Sequence, residues 1–246
     1  MFNFKDVKEQ RLDGRVYSEL RPFELHRNFS SHAEGSVLVK LGETCVLCTA
    51  SISNKKPSFV RDNEGWITAQ YSMLPGSVHN RIEREVIIGK QTGRTQEIQR
   101  LIGRSLRSAI NLKSLCGFSL SIDCDVLKAD GGTRCASITG SWVAAVDAIN
   151  VLIKRGNIKE NPIKNAIASI SIGILNNQII LDMDYHEDSQ CEVDMNVVMN
   201  DNGNIVELQG TGERSNFSRK DLQKMLDIAE NGIKYLICEQ KKALKI

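Results

Sequence analysis

The sequence has little that would mark a membrane, secreted or multidomain protein. No uninterrupted apolar run approaches the length that a bilayer span needs. Residues 1–15 are charged from Lys5 onward and lack the apolar core of a signal peptide, which predicts a cytoplasmic location. Low-complexity segments and Pro- or Ser-rich linkers are also absent, which argues against a string of flexibly joined domains. The length allows one large or two small domains, and we expect a single domain over residues 1–246.

The cysteines do not form a disulfide pattern. There are seven, an odd number, in a chain of 246 residues, whereas disulfide scaffolds are short and have paired cysteines. Cys45 and Cys48 form a C-x-x-C inside a strand-like stretch. Residues three apart on a strand point to opposite faces, so a shared metal ion is not expected there. We expect reduced and mostly buried cysteines.

The net charge of +2 has no strong sign, but the charges are unevenly distributed. Between residues 81 and 107, seven arginines and lysines stand against three acids. Six carboxylates, in contrast, lie between residues 182 and 194. A basic and an acidic region at one site suit a polyanionic ligand that is handled with a metal ion.

Apolar periodicity predicts a mixture of strands and helices, and so an α+β fold. The predicted strands are 36–42, 44–52, 118–127, 166–175, 178–185, 193–199 and 204–211. The predicted helices are 95–110, 137–156 and a segment from Ser218 onward. Turn residues at 176–177 and 201–203 predict hairpins, and hence a mostly antiparallel sheet in the second half. The order of strands followed by a helix recurs at about 36–110 and 166–240, which suggests an internal pseudo-repeat.

The stretch "DCDVLKADGGTRCASITG" (123–140) could bind an anion. Gly131 and Gly132 allow backbone N–H groups to turn toward a ligand, and Arg134 supplies a planar fork suited to phosphate oxygens. Thr133 adds a hydroxyl, and a following helix start would add partial positive charge. An ordinary glycine turn with a surface arginine explains these residues equally well. Arg94, just before a predicted helix, is likewise either an anion ligand or a solvated loop residue.

The stretch "LDMDYHEDSQCEVDMN" (181–196) concentrates the acids. Four of its aspartates occupy even positions, so a continuous strand would place them on one face: Asp182, Asp184, Asp188 and Asp194. The polar centre predicts a turn or bend that draws the two ends together. Clustered carboxylates repel one another unless a divalent cation offsets them, although a solvated acidic loop is the alternative. Asp194 lies within an apolar run and should be partly buried, whereas His186 is expected at the surface.

Long blocks of the sequence, in order, resemble the bacterial ribonuclease PH family of phosphate-dependent exonucleases that trim tRNA 3′ ends. The blocks include "HAEGSVLVKLGET" (32–44), "GWITAQYSMLP" (65–75), "GKQTGRTQEIQRLIGRSLR" (89–107), "DCDVLKADGGTRCASITG" (123–140) and "EDSQCEVDMNVVM" (187–199). The resemblance implies a ribosomal protein S5 domain 2-like fold with two βαβ-like halves. It also implies a homohexamer, a trimer of dimers, with Mg²⁺ as cofactor and inorganic phosphate as co-substrate.

The resemblance further implies roles for individual residues. The phosphate-binding residues would be Arg94, Gly132, Thr133 and Arg134. The catalytic and metal-binding carboxylates would be Asp188 and Asp194, so that Asp182 and Asp184, favoured by the strand periodicity, would not be the catalytic pair. Arg81 and Arg84 match arginines that the family uses on its RNA. Two departures concern the RNA path: Gly76 stands where many relatives have arginine, and "RSNFS" follows "QGTGE" (209–213).

The expected function is therefore phosphorolytic 3′-to-5′ trimming of tRNA precursors. Two alternatives stay open on the sequence. One is a catalytically silent RNA-binding ring subunit of an exosome-like assembly, which would be expected to lack the phosphate-site arginine or the aspartates. The other is a hydrolytic, metal-dependent nuclease, which would release monophosphates and would not need a phosphate site.

Overall fold

A computed structural model describes residues 11–246. Residues 1–10, which carry most of the stretch behind the cytoplasmic prediction, lie outside the described residues. The strands are β1 Phe23–Arg27, β2 Gly35–Leu41, β3 Thr44–Ser53, β4 Trp66–Met73, β5 Ser119–Lys128, β6 Ile167–Leu175, β7 Gln178–Leu181, β8 Val193–Asn200 and β9 Ile205–Gly212. The helices are α1 Glu85–Ile88, α2 Gly93–Ala109, α3 Thr133–Lys154, α4 Tyr185–Gln190 and α5 Arg219–Leu244, with a 3₁₀ turn at Lys113–Leu115.

The first sheet is mixed and has five strands in the order β1-β2-β3-β5-β4. β4 runs parallel to β5, and the other pairs are antiparallel. Alternation in β3 buries Val46, Cys48 and Ala50 on one face, as expected for a strand that covers a core on one side only. β1 and β4 were not among the predicted strands.

The second sheet is antiparallel, in the order β7-β6-β8-β9, so the predicted hairpins of the second half are confirmed. Asn176 and Asn177 both adopt positive φ, at 52° and 61°, which is the backbone of a tight hairpin turn. The predicted strand over 178–185 is too long. It ends at Leu181 because Asp182 has a left-handed backbone (φ 52°), and α4 begins three residues later.

Helix α3 lies at the centre of the molecule. It begins at Thr133, four residues before the prediction, and 17 of its 22 residues are buried. It packs against β2, β3 and β5 of the first sheet and against β6 of the second. By length and composition α3 could cross a membrane, but 83% of its most apolar 18-residue window is buried inside the protein. It is the core helix that joins the two sheets.

The last helix closes the second sheet. Ser218 caps α5 by accepting a hydrogen bond from the backbone N–H of Asp221, whose side chain accepts one from Ser218 in return. At its far end the carbonyl of Ala243 accepts a hydrogen bond from Arg27, which also forms an ion pair with Asp147 of α3. Arg27 thereby links the C-terminal end of α5 to β1 and α3.

Both sheets and the three long helices share one hydrophobic core. The predicted α+β class is confirmed by this arrangement. The prediction of a single domain and that of an internal pseudo-repeat stay predictions.

A substitution at Gly35 tests how closely α3 packs against the first sheet. A Cβ atom at this position would lie 1.9 Å from the carbonyl oxygen of Ala144, and that oxygen belongs to helix backbone that cannot rotate away. Gly35→Ala should therefore lower the free energy of unfolding by about 3 kcal/mol in urea titrations. Gly76→Ala is the control, because a Cβ there meets no atom within 4 Å. An equal effect of the two substitutions would contradict the close packing.

Candidate active site

The predicted anion nest, residues 131–134, is the junction between β5 and α3. Gly131 and Gly132 have φ values of 73° and 66°, which an L side chain rarely adopts. Gly132 is the N-cap of α3 but has no side chain to satisfy the first-turn N–H groups, which point to the site with the positive end of the helix dipole. Thr133 and Arg134 are the first two residues of the helix. The backbone therefore offers a ready anion site.

Arg94 occupies a second helix start. It is exposed and is the second residue of α2, which begins two residues before the predicted start at Thr95. Thr92 caps that helix by accepting from the backbone N–H of Thr95 at 3.2 Å. No residue of the first turn is acidic, but the carboxylate of Glu85 accepts hydrogen bonds from the backbone N–H of Thr92 at 3.1 Å and from the hydroxyl of Thr95 at 2.7 Å. Glu85 therefore already compensates part of the helix dipole beside Arg94.

The two carboxylates come from the second sheet and its connection. Asp188 is exposed on α4, and Asp194 is half-buried on β8. Burial, and then repulsion by Asp188, raises the pKa of Asp194 to about 6, while Arg134 and Arg94 act to lower it. Desolvation also raises the pKa of Asp188, against the same two arginines. The structure thus brings these four side chains within electrostatic reach of one another.

Family models match most of the chain. The 3′ exoribonuclease family, domain 1, matches residues 19–149, and domain 2 of the same family matches residues 165–232. The chain belongs to the 3′ exoribonuclease family. Arg94 and the anion nest lie in the first family domain, and Asp188 and Asp194 lie in the second. The candidate site of this family member is therefore formed between the two matched segments.

Several solved structures have the same fold, two of them from archaeal exosomes. Rice Rrp46 is 20% identical and superposes with a TM-score of 0.78, over 95% of this chain and 100% of that one. An Archaeoglobus fulgidus exosome with RNA bound to the active site is 25% identical, with a TM-score of 0.79 over 93% and 91% of the chains. An archaeal exosome core is 24% identical, with a TM-score of 0.75 over 94% and 91%. The predicted ribosomal protein S5 domain 2-like fold is confirmed.

Strand periodicity predicted that Asp182 and Asp184 would share one face with Asp188 and Asp194. In the structure they do not. Asp182 is completely buried and pairs with Arg21 at 2.7 Å. Asp184 is the N-cap of α4 and forms a capping box with Glu187. Both have structural contacts that a continuous strand could not provide. His186, as expected, is exposed, and its ring contacts Gln190.

Arg81 and Arg84 lie on the exposed segment before α1. Arg84 lines a cleft of about 880 Å³ together with Arg94 and Tyr71, so this cleft connects one predicted RNA contact with one of the predicted phosphate-binding residues. The structure does not bring Arg81 to the same cleft. Gly76 is exposed, and Arg214 donates to the carbonyl of Ser189 at the end of α4, which places a cation at the rim of the site.

Some residues that orient the site were not predicted. Arg134 donates to the Gln209 side chain at 3.3 Å, and Gln209 in turn donates to Glu97 at 2.5 Å. Buried Tyr71 shares a hydrogen bond of 2.8 Å with the hydroxyl of Thr133. Gln209 and Tyr71 lie inside sequence blocks that carry the family resemblance, which is the one signal that could have indicated them.

The donor set suits Mg²⁺ better than a softer metal. Asp188 and Asp194 offer only oxygen atoms, and their mutual repulsion would be relieved by a dication. Between residues 11 and 246, no group of three or more His, Cys, Asp or Glu side chains is placed to hold a metal ion. Two carboxylates alone fit Mg²⁺, which takes its remaining ligands from water and phosphate oxygens.

Asp194→Asn should stabilise the metal-free protein at neutral pH. Because the folded-state pKa is about 6 and the ordinary value is 3.8, wild-type stability falls as pH rises between these values. The asparagine variant avoids this loss. After allowance for solvent screening, it should be more stable by about 2 kcal/mol at pH 7.5 and equal to wild type near pH 4.

Thermal unfolding in EDTA across this pH range measures the difference. Asp227→Asn, which changes an exposed carboxylate on α5, is the control and should give no pH-dependent gain. A gain for Asp194→Asn that is the same at pH 4 and at pH 7.5 would contradict the raised pKa.

Proposed function

We propose that the protein is a phosphorolytic 3′-to-5′ exoribonuclease of the bacterial ribonuclease PH type that trims tRNA precursor 3′ ends. The observation that supports this most directly is the meeting of Arg94 and Arg134 with Asp188 and Asp194 beside a glycine anion nest. The two permanently charged guanidinium groups and the unpaired backbone N–H groups at the start of α3 suit inorganic phosphate. A hydrolytic nuclease would use water as its nucleophile and would not require this arrangement.

In the proposed reaction, an oxygen of inorganic phosphate attacks the phosphorus of the terminal RNA phosphodiester. A new P–O bond forms and the bond to the 3′ oxygen breaks, releasing a nucleoside 5′-diphosphate and an RNA one nucleotide shorter. The departing 3′ oxygen takes up a proton from a carboxyl group or from a bound water. Since the diphosphate product keeps a phosphoanhydride bond, the reaction is reversible and adds nucleotides when phosphate is scarce.

The arginines have the main task in this step. Attacking phosphate and phosphodiester are both anionic, so their repulsion is a large part of the barrier. Arg134, held by Gln209, and Arg94, at a helix start, would position the phosphate and reduce that repulsion. Tyr71 would orient the Thr133 hydroxyl toward the same ligand.

Asp188 and Asp194 would hold Mg²⁺. When bound, the ion would neutralise negative charge that develops on the phosphoryl oxygens. Without the ion, burial and then repulsion by Asp188 raise the pKa of Asp194, and desolvation raises that of Asp188.

The RNA would approach along the cleft that contains Arg84. Its backbone would cross this cleft to reach Arg94, with Arg81 as a further contact outside it. Because Gly76 offers no side chain, Arg81 and Arg84 would carry more of the phosphate contacts than in relatives with arginine at that position.

We further propose a cytoplasmic homohexamer, a trimer of dimers. The support is the likeness to subunits of the archaeal exosome core and of an exosome with RNA bound to its active site. The same likeness is what favours the second candidate, a silent RNA-binding ring subunit. Retention of both arginines and both aspartates at one site supports the active enzyme over that alternative.

The product of the reaction distinguishes these functions. Purified protein with Mg²⁺ and a tRNA carrying extra 3′ nucleotides should release nucleoside diphosphates only when inorganic phosphate is present, as measured by chromatography. Monophosphates released without phosphate would indicate a hydrolase. Bound but uncut tRNA would indicate the silent subunit.

Arg134→Lys should raise the KM for phosphate about 10-fold, with a smaller effect on the KM for RNA. Lysine keeps the charge but loses the fork, and a hydrogen bond to a charged group contributes about 1.5–3 kcal/mol. Arg155→Lys is the control, since Arg155 is exposed at the opposite end of the same helix and pairs with Glu34. An unchanged phosphate KM in Arg134→Lys would exclude Arg134 from the phosphate site.

A further inference from the structure

Arg21 is a buried arginine whose contacts join the two segments of the candidate site. It is only 5% exposed. Its backbone N–H and Nε donate to one carboxylate oxygen of Asp182, at 2.8 and 3.0 Å, and Nη2 donates to the other at 2.7 Å. Its Nη1 donates to the carbonyl of Asp130, and Nη2 also reaches the carbonyl of Gly131 at 3.5 Å. One guanidinium therefore grips both the anion nest and Asp182.

Asp182 lies at the start of the connection that leads from β7 to Asp188 on α4. It follows β7 in a left-handed conformation and stands two residues before Asp184, the N-cap of the helix that carries Asp188. Its carbonyl accepts from Arg11 at 2.9 Å, and Arg11 also forms an ion pair with Glu187 of α4. Whatever holds Asp182 in place therefore sets the start of α4.

The anion nest and the start of α4 are in direct contact. A Cβ atom on Gly131 would lie 2.5 Å from the carbonyl oxygen of Met183, so no side chain fits between the two segments. The backbone N–H of Tyr185 also donates to Asp130 at 3.3 Å. A small movement of either segment would change the separation between the anion nest and Asp188.

We propose that Arg21 is a positioning residue that fixes the anion nest relative to Asp188 through Asp130, Gly131 and Asp182. We call this set the Arg21 clamp. The inference rests on the proposed function and adds a residue that is buried away from the substrate. The planar guanidinium satisfies carboxylate and carbonyl acceptors in two segments at once, which the single ammonium of lysine cannot do with the same geometry.

The Arg21 clamp predicts a kinetic change that a general loss of stability would not cause. If the nest shifts relative to Asp188, bound phosphate no longer meets the reacting phosphorus at the right distance. Misplacement by about 1 Å can reduce a rate 100-fold. The RNA contacts proposed for Arg81 and Arg84 lie outside the clamp, so the KM for RNA should not change.

The test compares Arg21→Lys with Arg27→Lys. Arg27 is a matched control because its guanidinium also binds a carboxylate, Asp147, and a carbonyl, that of Ala243, but it does so away from the anion nest. Arg21→Lys should reduce kcat/KM for phosphate about 100-fold with an unchanged KM for RNA. Arg27→Lys should change neither value by more than about 3-fold, although both variants lose thermal stability. Equal kinetic losses in the two variants, or an equal rise of both KM values in Arg21→Lys, would overturn the proposal.

Amide hydrogen exchange tests the Arg21 clamp independently of the proposed reaction. In Arg21→Lys, amides of residues 130–136 and of residues 183–190 should lose protection together, and in Arg27→Lys they should not. This measurement does not depend on turnover. If the wild-type protein releases no diphosphate, the proposed function fails while the exchange result still decides the clamp. Loss of protection in only one of the two segments, or in neither, would overturn it.

Discussion

The burial of α3 between two sheets is the constraint on which the rest of the structure depends. Both faces of this helix are covered, so its sequence is apolar nearly all round and includes small residues where strands approach closely. At Gly35 the strand backbone approaches that of Ala144 too closely for any side chain. A helix held in this way cannot slide or tilt to suit a ligand. Its first turn, with Thr133 and Arg134, is thus presented to the site in a fixed position.

The second determinant of the site is electrostatic conflict. Asp194 is half-buried and is repelled by Asp188, and two arginines only partly compensate the raised pKa values of these carboxyl groups. Structural carboxylates in the same chain are treated differently, since buried Asp182 receives hydrogen bonds from the backbone and side chain of Arg21. Charged groups that are incompletely compensated within a folded protein commonly mark a binding site, where the ligand supplies the missing opposite charge.

Local patterns in the sequence accounted for much of the fold. Alternating apolar residues located seven of the nine described strands, and helical spacing located α2, α3 and α5, with errors at their ends. The acidic stretch failed for an identifiable reason. The predicted strand ran to residue 185, with a turn or bend in the polar centre beyond it, whereas the left-handed backbone at Asp182 ends the strand and the Asp184–Glu187 capping box starts a helix. The capping pattern is visible in the sequence, but the regular spacing of the aspartates favoured a strand over a helix start.

The site itself was less accessible to local reasoning. Glycine content and charge indicated the anion nest, but an ordinary turn explained it equally well until the structure placed Arg94 and the carboxylates beside it. Family resemblance, rather than spacing, singled out Asp188 and Asp194. Arg21 and Asp182 are 161 residues apart, and no periodic signal reports a contact over such a distance.

The dependence of Arg134 on Gln209 has a consequence for the order in which the site matures. During synthesis the chain leaves the ribosome from its N-terminus, so Arg94 and Arg134 emerge first, Asp188 and Asp194 next, and Gln209 later still. Until β9 has paired with β8, the guanidinium of Arg134 lacks the side chain that orients it. A nascent chain can therefore carry all the residues of the proposed phosphate site while Arg134 still lacks the contact that orients it.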